Sequence, residues 1–95
     1  FVMNIIMLYT SVSHSKTVKK KQEESRLMFY TNNVSVDEID SSQQENKLLR
    51  EKLFDICKKR YDYPQFFYKV AKHYVYIGDF ETIYKKNEER ELSHF

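Results

Sequence analysis

One glycine and one proline in 95 residues constrain this chain more than any other feature. Tight β-hairpins draw on residues that take positive φ or preset a turn, chiefly glycine, asparagine and proline. A chain so poor in glycine and proline is expected to be all-α. Its length allows one domain with a tail, and a chain of this size buries roughly 60–65% of the surface its unfolded form exposes. Eight Tyr and seven Phe therefore need a core or a partner to cover them, because large apolar patches rarely stay exposed on a monomer.

The net charge of +2 is too small to argue for nucleic acid by itself, but its distribution is uneven. Lys16, Lys19, Lys20, Lys21 and Arg26 face only Glu23 and Glu24, whereas Asp37, Glu38, Asp40 and Glu45 follow with no base among them. A solvated helix face, a docking site for an acidic protein and a phosphate contact are all open readings of the basic run. The lone Cys57 excludes an internal disulfide and a cysteine-built zinc site, and it suits a reducing compartment. His14, His73 and His94 lack metal-ligand spacing. Phe1 to Tyr9 is apolar apart from Asn4, yet it is far shorter than the ~20 residues of a membrane span. It also lacks the basic start and small-residue cleavage site of a secretory signal. No Gly-rich phosphate loop, paired cysteine motif or H-x-x-x-H is present, so no enzyme is expected.

Along the chain, Ile5, Leu8, Tyr9 and Val12 follow the i, i+3, i+4, i+7 pattern of an amphipathic helix over about 2–14. A second helix is expected over about 17–31, ended by Asn32-Asn33, since asparagine tolerates the left-handed conformation. Ser35-Val36-Asp37-Glu38 has the S-x-x-E form of a capping box. A third helix of about 25 residues is expected from there, carrying Ile39, Leu49, Leu53 and Ile56. Pro64 suits a first helical turn. Phe66, Phe67, Val70, Tyr74 and Ile77 then keep three-to-four spacing as far as Gly78. Asp79 is placed to cap a last helix containing Phe80, Ile83 and Tyr84.

Arg26, Phe29 and Asn32 lie along one side of the second helix, after Leu8-Tyr9 at the end of the first apolar run. This order resembles the small mitochondrial LYR-motif family, with Leu-Tyr-Arg on a first helix and Arg-x-x-Phe-x-x-Asn on a second. Thr10 stands where that family has arginine. The resemblance implies an antiparallel three-helix bundle over 1–62; the aromatic helical hairpin expected over 63–95 lies largely outside the family core. It implies a mitochondrial matrix adaptor that binds acylated acyl carrier protein and anchors it to a large host complex: respiratory complex I, the cysteine desulfurase of iron–sulfur cluster assembly, or the mitochondrial ribosome. RNA would be a partner only with a ribosomal host.

On that resemblance Tyr9, Lys19, Lys20, Lys21 and Arg26 would meet the carrier. Its acyl-4'-phosphopantetheine would enter a tunnel walled by Ile5, Leu8, Val12, Phe29, Leu49, Leu53 and Ile56, with no cofactor bound directly. Phe66, Phe67, Tyr74, Phe80 and Tyr84 would contact the host. The alternative is a structural subunit without an acyl ligand. Ala71-x-x-Tyr74-x-x-x-Gly78-Asp79-Phe80 looks like the turn of a helical repeat, and Lys16 to Lys21 would then touch RNA.

Overall fold

Ile5-Ile6-Met7-Leu8 is apolar at every position, and a segment greasy on all sides needs cover on all sides. A strand in the middle of a sheet with helices on both faces meets that need. In the computed structural model, which describes residues 3–92, this run forms the heart of strand β1 (Met3–Tyr9). Phe1, Val2 and His94 lie outside the described residues. Helix α1 (Lys16–Thr31) crosses over to β2 (Val36–Asp40), and a short 3-10 turn at Gln44–Asn46 leads into α2 (Lys47–Cys57). Strands β3 (Gln65–Val70) and β4 (His73–Asp79) form a hairpin, followed at once by α3 (Phe80–Glu88).

The sheet order is β2-β1-β3-β4. β1 runs parallel to β2 with Ile5 opposite Val36 and Tyr9 opposite Asp40, and antiparallel to β3 with Ile6 opposite Phe67. Because side chains alternate along a strand, β1 divides its apolar residues between two cores. Ile5 and Met7 join Met28, Phe29, Phe66, Phe80 and Ile83 under α1 and α3. Ile6 and Leu8 join Leu53, Phe54, Cys57 and Phe67 under α2. The result is three layers, helix on sheet on helix.

The expected all-α three-helix bundle is therefore overturned, and each misread segment has a physical reason. The helical spacing of Ile5, Leu8 and Tyr9 is coincidental within a continuous run that fills both faces of β1. Val36 and Ile39, three apart, would share one face of a helix; in β2 they point to opposite sides, one to each core. Ser35 thus precedes a strand, and the third helix has 11 residues, not about 25. Pro64 follows a cis peptide bond and leads into β3. The boundary expected near residue 62 falls within one sheet, since β3 pairs with β1 along six residues. The helical-repeat pattern dissolves too, with Ala71 in the β3–β4 turn and Tyr74 and Gly78 in β4.

Poverty in glycine did not prevent a hairpin, because other residues take the left-handed conformation. Ala71 does so at the β3–β4 turn (φ 55°), as does Lys58 at the C-terminal cap of α2 (φ 61°). Asn33 does so just after α1, where Asn32 ends the helix as expected. Asp79 caps α3, accepting from the Thr82 amide at 3.1 Å and its hydroxyl at 3.3 Å.

The single glycine sits where no other residue fits. Gly78 has φ 156°, and a Cβ there would lie 2.5 Å from both Cβ and Oγ1 of Thr82. Asp79 pins Thr82, so it cannot swing aside. Gly78→Ala is therefore expected to destabilise the fold by ~1–3 kcal/mol, the usual cost of overpacking. Urea denaturation measures this, and an unchanged midpoint would contradict the close approach.

Candidate functional site

In open α/β sheets, ligands gather outside the carboxyl ends of the parallel strands. Here that end is closed by a polar network centred on Asp40, the last residue of β2. Its Oδ1 accepts from the Ser11 amide (3.2 Å), the Ser42 amide (3.0 Å) and the Ser42 hydroxyl (2.7 Å). The hydroxyls of Ser11 and Ser42 lie 3.1 Å apart. Beside them the buried Gln22 of α1 clasps the backbone of Thr10: Oε1 accepts from its amide and Nε2 donates to its carbonyl, each at 3.0 Å. Burial pushes the Asp40 carboxyl up, but the hydrogen bonds from Ser11 and Ser42 outweigh it and bring the pKa to about 2.

A series of depressions runs from this end along the seam between α1 and β2. The first, about 390 Å³, is lined by Tyr9, Thr10, Ser11, Lys19, Gln22 and Arg26, with Glu23 at its side. Beyond Arg26 a groove of about 250 Å³ has Met7, Phe29, Val34 and Val36 among its walls, with Glu38 and Tyr30 alongside. Arg26 separates the two. Its guanidinium lies 4.9 Å from the Tyr9 ring centroid, donates from Nε to Glu38 at 2.8 Å, and also pairs with Glu23. Burial alone would lower the Arg26 pKa, but the bond to Glu38 and the nearby acids raise it. The Tyr9 phenol is pushed up, first by burial and then by Asp40 and Glu38. Arg26 thus acts as a neutralised strut between helix and edge strand. Tyr30, beside the groove, is 80% exposed, and Leu27 of the same helix is 60% exposed. Three residues apart on α1, they form an apolar stripe open to solvent.

The structure brings Tyr9, Lys19 and Arg26 together in one depression and puts Phe29 in the wall of the next. Lys20 instead pairs with Glu24, and Lys21 with Glu81 of α3 while lying over the Phe80 ring. The residues expected to wall a single tunnel are divided by the sheet. Ile5 and Phe29 belong to the core under α1 and α3. Leu8 and Leu53, with the half-buried Leu49 and Ile56, belong to the core under α2. Val12 lies on the surface, 65% exposed. Of the residues expected at a host contact, Phe66 and Phe67 are wholly buried on opposite faces of the sheet, and Phe80 is core. Tyr74 is half-buried and Tyr84 exposed. Sequence reasoning missed Asp40, Ser11, Ser42 and Gln22. The alternating serines 11, 13 and 15 are the available signal, because such a polar run suits a loop at a strand terminus.

Among the described residues no group of His, Cys, Asp and Glu side chains is placed to hold a metal, and no helix is long and apolar enough to cross a membrane. Cys57 ends α2 and is buried, its Sγ 3.8 Å from the Phe54 carbonyl oxygen. Thioredoxin-like dithiol chemistry uses a C-x-x-C pair, which a chain with one cysteine does not have.

The fold is thioredoxin-like. A solved structure titled as a buckwheat glutaredoxin–glutathione complex matches with a TM-score of 0.65 at 10% identity, covering 95% of this chain and 73% of that one. The actin interacting protein Aip5 of C. albicans matches with a TM-score of 0.68 at 15% identity, covering 97% of this chain and 86% of its own. At these identities the likeness shows the fold alone. No curated protein sequence matches. The family described as "SH3-binding, glutamic acid-rich protein" matches over residues 3–95, and the chain belongs to that family. Membership in the LYR-motif family, the adaptor role it implied and the acyl carrier protein as partner are corrected accordingly. Arg26-x-x-Phe29-x-x-Asn32 is a consequence of α1's packing. Arg26 braces β2, Phe29 enters the core, and Asn32 caps the helix while donating to Asn87 of α3 at 3.0 Å.

Because its folded pKa is depressed below the ordinary 3.8, Asp40 contributes stability that is present above about pH 4 and is lost as pH falls toward 2. The depressed Asp79 carboxyl, which burial pushes up but the Thr82 amide and Lys59 hold down, adds in the same direction. Asp40→Asn is expected to be less stable at pH 7 and to show a flatter loss between pH 4 and 2. Thermal melts across that range measure both, and parallel curves for the two proteins would contradict the Asp40 network.

Proposed function

We propose that this chain is a non-enzymatic recognition module, acting without a bound cofactor, whose partners carry SH3 domains. The observation that carries the reading is family membership across almost the whole chain. The missing cysteine pair supports it, because the frame is kept while the residues for dithiol exchange are not.

The manner of contact differs from the usual one. SH3 domains commonly take P-x-x-P segments in a polyproline helix. The one proline here, Pro64, is buried and preceded by a cis bond, so that mode is closed to these residues. Within these residues the reading rests on a folded surface, and the groove between α1 and β2 is the best suited. It offers an apolar floor, the exposed Tyr30 at its side with Leu27 three residues away on α1, and a rim formed by Arg26 and Glu38. Aromatic and apolar anchors of this kind supply most of the energy at protein interfaces.

The test is titration calorimetry against a panel of isolated SH3 domains. At least one is expected to bind, and Leu27→Ala with Tyr30→Ala together should weaken it by at least tenfold. Binding by none of the panel, or binding unaffected by the double substitution, would contradict the reading.

A further inference from the structure

The two edges of the sheet carry opposite charge. β2 has Asp37, Glu38 and Asp40 and no base, and acids along an edge strand discourage further strands from adding. β4 is guarded differently. Residues 64–78, which span β3 and nearly all of β4, include Lys69, Lys72 and His73 and not one acid. One side of β4 pairs with β3, and among the described residues no strand pairs with the other.

The cations at this edge are gathered and unneutralised. Lys52 of α2 and Lys69 of β3 both lie over the Tyr74 ring, 5.2 and 5.7 Å from its centroid. Neither they nor Lys72 and His73 form an ion pair among the described residues. The two faces of β4 also differ. Tyr74 and Tyr76 turn to the α2 side, where Lys52 and Lys69 lie. Ile77 turns to the other side, as does Val75, which is opposite Tyr68 and 54% exposed.

We propose that the free edge of β4 takes an extended acidic segment of a partner protein as a fifth strand. Main-chain hydrogen bonds to an open edge provide affinity in such additions, and alternate side chains provide specificity. Here acids on one face of the incoming strand meet Lys52 and Lys69, while apolar residues on the other meet Val75. Lys72 and His73 at the turn receive the acid nearest the hairpin tip. The site lies on the opposite edge from the groove assigned to SH3 domains, so either proposal can fail without the other.

The test uses fluorescein-labelled eight-residue peptides and the whole chain. Alternating Glu-Val is expected to bind and to slow hydrogen exchange of β4 amides at least tenfold at saturation. Alternating Lys-Val should not bind. A peptide of four Glu followed by four Val, equal in charge but lacking alternation, should bind at least tenfold more weakly. Lys69→Glu with Lys72→Glu, both near the surface and checked for folding by circular dichroism, should weaken Glu-Val binding by tenfold or more. The proposal is overturned if Glu-Val fails to bind, or if the block peptide or a single-stranded oligonucleotide binds equally well. It is also overturned if protection appears at β2, or if β4 is already covered by a second copy of the chain in solution.

Discussion

Every layer of this protein depends on β1 being covered on both faces. Four consecutive large apolar residues, Ile5 to Leu8, are all nearly excluded from water. At roughly 1.5–3 kcal/mol for each large side chain removed from water, this run is a major contributor to the fold. The requirement dictates the architecture. One face of β1 is closed by α1 and α3 and the other by α2, while its two edges are closed by β2 and β3. Phe66 and Phe67 repeat the arrangement one strand over, sending one ring into each core.

The polar residues lie where this apolar frame ends. Past Tyr9 the chain turns to serine and threonine, and Asp40 and Gln22 satisfy the backbone that β1 leaves open. The network is a structural clasp holding the β1–α1 loop to the end of β2. In thioredoxin-like redox proteins a thiol pair carries the chemistry; here the one thiol is buried at the end of α2. The surface of this frame is polarised. At the β2 edge an apolar groove lies beside neutralised charges, and at the β4 edge cations without an ion pair among the described residues flank a strand that pairs on one side only. The two edges of the frame thus differ in both charge and cover.

How much of this was legible in the sequence varied by element. α1 was legible, including its asparagine stop, and so was Asp79 as the cap of α3, because both are local signals resolved within a few residues. The strands were not. The pattern of β1 is ambiguous between a buried strand and a buried helix, as short continuous apolar runs are. β2 is short, half-exposed and built on Val36 and Ile39 at a helical spacing. The hairpin was invisible because its turn rests on Ala71, a residue that does not advertise a left-handed conformation. The Arg26, Phe29 and Asn32 stripe was correctly placed on a helix, but its shared face reflects a brace, a core residue and a cap. The groove needed β2 to be recognised as a strand before Val36 and Glu38 could be set against Arg26 and Phe29.

The place of β1 as the doubly covered centre of the sheet is read directly by native-state hydrogen exchange. Amides of Ile5 to Leu8 are predicted to be among the slowest in the chain, and to exchange only through global unfolding. Exchange of those amides through local opening, faster than the amides of the edge strand β2, would contradict it.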